Sequence, residues 1–245
     1  MFNLTVVQWL IVSLSALFFG VSKTGLPGLG ILAIPLMANV IPARASTGVV
    51  LPMLIFADIF AVAYYHKKAV WPHLVRIIPW AMAGIVVGYL IMGWINDQQL
   101  KPVIGLVILV MLALNYWRNS RGEDRPVPNR WWFAACMGLL AGITTMMANA
   151  AGPIMIIYLL AMRLPKTEFI STGAWYFFLL NWFKVPFSAN LGLITPDSIR
   201  FNLVLFPVIA VGAIAGIIIL KRIPEKAFNN IAQALAGLAA VKLLF

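Results

Sequence analysis

Charged residues are scarce in this chain of 245 residues. Lys, Arg, Asp and Glu together make up 10% of it, whereas 62% is apolar and the mean hydropathy is +0.95. A soluble globular protein of this length needs far more polar surface, so the composition excludes one. A chain that turns most of its surface toward lipid has no such need. The composition therefore predicts an all-α, polytopic membrane protein.

Cysteine and histidine are scarcer still. Cys136 is the only cysteine, and the two histidines, His66 and His73, lie in one basic stretch. These residues support no disulfide framework, metal site or cofactor, and the sequence lacks a set of catalytic partners, so we expect no enzyme. The net charge of +11 does not indicate nucleic acid, because the Lys and Arg residues lie between apolar runs and do not cluster on a polar face.

Ten apolar runs, bounded by Pro, Gly and charged residues, follow one another along the chain. They cover residues 4–21, 29–41, 46–65, 75–94, 99–117, 131–147, 150–162, 170–187, 202–220 and 227–245. Most are long enough to cross a hydrocarbon core of about 30 Å as helices, but runs 29–41 and 150–162 are not. We predict about 8–10 helical segments, with short broken or re-entrant helices at these two places.

Two stretches with a similar order of residues lie 122 positions apart. Gly20 to Ala38 reads GVSKTGLPGLGILAIPLMA, and Gly142 to Leu160 reads GITTMMANAAGPIMIIYLL. We interpret 1–117 and 131–245 as two membrane repeats of five segments, joined by a cytoplasmic linker at 118–130 into one transport domain. Five is an odd number, so the second repeat is predicted to be inverted relative to the first.

Basic residues in short loops predict the orientation. If the N-terminus is outside, twelve Lys and Arg residues fall in cytoplasmic loops and four fall in outer loops. Both termini are therefore predicted outside, in a multi-pass protein of the cell (inner) membrane. The expected partners are the lipid bilayer and a small anionic substrate, and the sequence leaves a homo-oligomer open.

The interruptions at the start of each repeat are the predicted substrate site, because inverted-repeat transporters bind substrate at corresponding broken helices. The first contains Ser22, Lys23, Thr24, Gly25, Pro27 and Gly28, and the second contains Thr145, Asn149 and Gly152. The cation, the hydroxyls and the free backbone N–H groups at such a break can bind an anion. The alternative is a pair of helix kinks packed through small residues.

Two charged residues within apolar runs are further candidates for the site. Lys184 lies in WYFFLLNWFKVPF, with Asn181 three residues before it. Either both side chains face a polar cavity and bind substrate, or Lys184 extends to the outer interface. Asp58 is the only acid within an apolar run. It could carry a coupling proton, form a buried ion pair or make a hydrogen bond between helices.

Three stretches taken together resemble the sulfite exporter TauE/SafE family: GVSKTGLPGLGILAIPLMA, the Gly-rich counterpart at Gly142 to Pro153, and NWFKVP. The resemblance covers nearly the whole chain. It places the substrate contacts at Lys23, Thr24, Gly25, Pro27, Gly28, Asn149, Gly152, Asn181, Lys184 and Pro186. The second copy departs from the first at Thr145, which stands where the first copy has Lys23.

The resemblance also implies an activity. It implies a secondary transporter that moves sulfite, sulfonates or other organosulfur or organic anions across the cytoplasmic membrane by alternating access. Export is the expected direction, and protons are the candidate coupling ion. The alternative function is an anion channel or a non-transporting membrane subunit.

Overall fold

The computed structural model describes residues 4–41, 43–92 and 131–224 and short pieces of 226–238. These ranges contain helices and turns but no strand, which confirms the all-helical prediction. The helices are α1 (Val6–Thr24), α2 (Leu29–Val40), α3 (Ala43–Tyr65), α4 (Trp71–Ile91), α5 (Trp131–Ala148), α6 (Gly152–Ala161), α7 (Lys166–Asn190) and α8 (Pro196–Arg222). A short 3-10 helix, His66–Lys68, extends α3.

Five helices in the described part of the chain are long and apolar enough to cross a membrane. They are α1, α3 with its 3-10 extension, α4, α5 and α8. The two short runs of the sequence appear as the two short helices, α2 with 12 residues and α6 with 10 residues. The predicted segment 99–117, the linker 118–130 and most of the segment 227–245 lie outside the described residues.

Helices α7 and α8 extend beyond the apolar runs that predict them. α8 begins at Pro196, six residues before its run, because Thr195 and Ser198 form a reciprocal capping box. α7 begins at Lys166, directly after Pro165. An apolar run reports only the part of a helix that faces lipid or the core, so polar end turns such as these are missed.

The most extensive helix contacts join the two halves of the chain. α4 packs along α5, and α1 packs along α8. Both contacts use glycines to bring backbones together: a Cβ at Gly84 would lie 3.0 Å from the Cα atom of Gly142, and a Cβ at Gly20 would lie 2.7 Å from the backbone nitrogen of Ala213. Small residues allow this close approach between membrane helices.

Helices α3 and α7 pack against each other in antiparallel directions. The end of α3 lies beside the start of α7, where Ser171 Oγ donates to Tyr65 O over 2.5 Å. The start of α3 lies near the end of α7, because Gly48 contacts Leu193, just beyond that helix. Polar side chains that project from α3 and α7 toward each other are therefore withdrawn from the lipid.

Both predicted breaks are present, and their hydrogen bonds to α3 lie toward opposite ends of that helix. Gly28 has a φ angle of +103° in the first break, and Asn149 has a φ angle of 53° in the second. Tyr65 OH donates to Thr24 O over 3.0 Å, and Asn149 Nδ2 donates to Thr47 O over 3.1 Å. Tyr65 and Thr47 are about 27 Å apart along the helix at 1.5 Å per residue.

Candidate functional site

A cavity lies between the two breaks and is lined by parts of both. The first break contributes Ser22, Lys23, Pro27 and Gly28, and the second contributes Thr145, Asn149 and Gly152. The cavity has a volume of about 70 Å³. That volume holds several small groups, since a single water needs on the order of 10 to 15 Å³.

The rest of the cavity wall is largely apolar. Side chains of α1, α2, α3, α6 and α7 form it, including Phe19, Ile34, Leu54, Met155 and Phe169. Among the described lining residues, polar side chains come from the two breaks and from Asn181 of α7. A charged group entering this space therefore exchanges water for a small set of fixed polar contacts.

Among the described residues, Lys23 is the only charged side chain that lines the cavity. Its Nζ atom lies 2.9 Å from Oδ1 of Asp58, and the two side chains are 10% and 0% exposed. Asp58 lies on α3 behind the cavity lining. The buried ion pair was one of three interpretations of Asp58, and the geometry agrees with it. The interhelical hydrogen bond is present as well.

Asn181 connects this ion pair to the second half of the chain. Its Nδ2 atom donates to Oδ2 of Asp58 over 2.7 Å, so the carboxylate is held by a residue of α1 and a residue of α7. Oδ1 of Asn181 is buried and has no hydrogen-bond partner among the described residues. Since Asn181 also lines the cavity, this end of the site offers an acceptor as well as donors.

Lys184 does not extend to the membrane surface. It is 1% exposed, and its Nζ atom donates to Thr145 O over 2.9 Å and to Asn149 Oδ1 over 2.5 Å. The interpretation that Lys184 extends to the outer interface is therefore wrong. Lys184 does not line the cavity either. Its ammonium donates hydrogen bonds to the second break, as a Lys side chain near a helix C-terminus donates to the last carbonyl groups.

The predicted site residues divide into three groups. Eight line the cavity: Ser22, Lys23, Pro27, Gly28, Thr145, Asn149, Gly152 and Asn181. Asp58 and Lys184 lie behind the lining and hold it in place. Thr24 and Gly25 face α8 instead: Thr24 Oγ1 donates to Ala213 O over 2.7 Å, and a Cβ at Gly25 would lie 2.6 Å from the Cα atom of Gly216. These two residues pack helices together.

Phe177 is the site residue that the sequence reasoning missed. Its ring lines the cavity, and Nζ of Lys23 lies 3.8 Å from the ring centroid. Phe177 lies four residues before Asn181, so both side chains project from one face of α7. The sequence feature that could identify Phe177 is its spacing, because Phe177, Asn181 and Lys184 are separated by four and three residues.

The fold and the cavity define a class of protein: a helical membrane protein with a charged site in its interior. A family model described as "Sulfite exporter TauE/SafE" matches residues 12–243, and the chain belongs to this family of membrane transporters. This confirms the resemblance seen in the sequence. Comparison with curated proteins gave no match, and comparison with solved structures gave none either.

Proposed function

We propose that this protein is a secondary carrier of small anions and that Lys23 is the cation that binds them. The observation that carries the proposal is the position of Lys23, on the wall of a cavity between two broken helices. The family name supports sulfite as the first substrate to test, and sulfonates and other organic anions belong to the same proposed range.

The charges around the cavity favour an anionic guest. Among the described residues, Lys23 and Lys184 contribute two positive charges and Asp58 contributes one negative charge, a net charge of +1 when all three are ionised. Binding of one anionic charge neutralises this excess, whereas a cation would double it. The anion also regains hydrogen bonds that it loses with its water, because Lys23 and Thr145 can donate to it.

Alternating access requires a barrier on each side of the site. The two breaks hydrogen-bond to opposite ends of α3, so movement of one break could open the cavity in one direction while the other break keeps it closed. Inverted repeats would supply this arrangement. The corresponding contacts of α1 with α8 and of α5 with α4 support the repeat, and the distribution of basic residues supports an orientation with both termini outside.

Asp58 is the proposed coupling group. Its carboxylate and an entering anion compete for the same ammonium, because Lys23 Nζ lies 2.9 Å from Oδ1 of Asp58. A proton on Asp58 would release Lys23 to the anion, and departure of the anion would return Lys23 to the carboxylate. One proton would then move with each anion.

Flux in proteoliposomes tests the carrier. The purified protein is reconstituted, and uptake of radiolabelled sulfite, methanesulfonate, acetate and choline is measured over a range of concentrations. We expect saturable uptake of at least one anion, acceleration by the same unlabelled anion inside the vesicles, and no uptake of choline. Uptake without saturation or exchange would indicate a channel, and choline uptake would contradict an anion site.

The coupling proposal has its own test. In wild-type vesicles, an imposed pH gradient should drive anion accumulation. Asp58→Asn keeps the size of the side chain and removes the carboxylate, so we expect anion exchange to persist while accumulation driven by the gradient is lost. Accumulation by Asp58→Asn equal to that of the wild type would contradict a coupling role for this residue.

A further inference from the structure

The Lys23 ammonium has a second neighbour besides the Asp58 carboxylate. The ring of Phe177 covers another side of it, at 3.8 Å from Nζ to the ring centroid. The side chain of Lys23 is 10% exposed, so ring and carboxylate together replace most of the water around the charge. A cation is attracted to the negative face of an aromatic ring, and the attraction increases when water is excluded.

The two neighbours act differently on an anion that enters the cavity. Asp58 neutralises the charge of Lys23 and competes with the anion for it. Phe177 carries no net charge, so it attracts the ammonium without cancelling its charge. If Asp58 were the only neighbour of the ammonium, Lys23 would lose its contact with the protein whenever its ammonium bound the anion. A buried charge without such contacts is costly.

One helix supports both members of the ion pair. Phe177 of α7 holds Lys23, and Asn181 of the same helix, one turn later, donates to Asp58 over 2.7 Å. Phe177 and Asn181 also both line the cavity. A shift of α7 relative to α1 would therefore alter the support of the cation and of the carboxylate together.

We propose that Phe177 is a positioning residue of the anion site, whose ring face holds the Lys23 ammonium at the cavity wall while leaving its charge available to the anion. This inference rests on the proposed function. It assigns Phe177 an electrostatic contribution, which depends on the electrons of the ring and not only on its volume.

Fluorination of the ring isolates that contribution. Fluorine atoms withdraw electrons from the ring face and change its volume little. We expect the full-length protein with 4-fluoro-, 3,5-difluoro- and 3,4,5-trifluorophenylalanine at position 177 to bind sulfite progressively more weakly. The whole series should span about two- to tenfold in affinity, the range typical of a cation–π contact.

Phe178 provides the matched control. It follows Phe177 on α7, its ring packs against Trp175 and Trp182, and it does not line the cavity. The same series at position 178 should leave sulfite affinity unchanged. Phe177→Tyr should retain most of the affinity, and Phe177→Leu should lose as much as the trifluoro ring. Sulfite affinity that does not follow fluorination at position 177 would overturn the inference.

A stability cycle tests the contact without any ligand. Melting temperatures of the wild type, Lys23→Met, Phe177→Leu and the double variant should show that the two substitutions are not additive. Additive effects would overturn the contact. If the cycle shows coupling but the wild type binds none of the tested anions, the proposed function fails and the positioning role fails with it, although the contact remains.

Discussion

Lys184→Met separates a residue that supports the site from one that touches the substrate. Met keeps the unbranched stem of Lys and removes the ammonium. Lys184 is 1% exposed and donates to Thr145 O, Thr145 Oγ1 and Asn149 Oδ1 over 2.9, 3.3 and 2.5 Å. Because Lys184 does not line the cavity, we expect the substitution to act on the second break and not on the anion directly.

The expected loss of stability follows from the hydrogen bonds that each acceptor loses. Thr145 O keeps a hydrogen bond from the backbone N–H of Asn149 over 3.1 Å. Asn149 Oδ1 loses its charged donor, although Nδ2 of the same side chain still donates to Thr47 O. One hydrogen bond to a charged group contributes about 1.5 to 3 kcal/mol. Removing the ammonium also removes the cost of burying it, which offsets part of this loss, so we expect stability to fall by about 1 to 2 kcal/mol.

Two assays give the outcome. The melting temperature, followed by intrinsic tryptophan fluorescence in detergent, should fall. The dissociation constant for sulfite, measured by calorimetry, should rise by less than about tenfold, since Met removes a positive charge behind the cavity wall but no direct contact with the anion. A Lys184→Met protein with wild-type stability and affinity weakened more than tenfold would refute this reasoning and make Lys184 a substrate contact.

Two further predictions concern packing and orientation. Gly20→Ala should lower stability by about 1 to 3 kcal/mol by overpacking, because its Cβ would lie 2.7 Å from the backbone nitrogen of Ala213. A Cβ at Gly173 would have its nearest neighbour at 3.5 Å, so Gly173→Ala should be neutral or slightly stabilising in the same thermal melts. Equal effects of the two would contradict the close α1–α8 contact. In a Cys136→Ala background, Asp197→Cys should react with an impermeant maleimide in intact cells and Lys67→Cys should not, and the reverse pattern would overturn the orientation.

The sequence predicted the parts of the site that have local signals. Gly and Pro within an apolar run interrupt a helix wherever it packs, and a charge in such a run must find a polar surrounding. These two rules suffice to select Lys23, Pro27, Gly28 and Gly152, which the structure brings to one cavity. The two short helices α2 and α6 were equally visible, because 12 and 10 residues cannot match the length of their neighbours.

The partners of those residues could not be predicted, because they depend on packing between distant segments. Asp58 and Asn181 are 123 positions apart and meet only because α3 packs against α7. Thr24 and Gly25 belong to the same motif as Lys23 but face α8, since successive residues at a helix end point in different directions. Phe177 has no distinctive local signal, because an aromatic residue in a membrane helix usually packs against lipid or the core.

The central claim, that Lys23 on the cavity wall binds the transported anion, is tested most directly by sulfite uptake into proteoliposomes that contain Lys23→Met/Asp58→Asn. Removing both charges avoids leaving either one buried and unpaired, so the double variant should fold and reconstitute like the wild type. We predict that its saturable, exchange-accelerated sulfite uptake is lost. Saturable uptake with wild-type affinity by this folded double variant would contradict the claim.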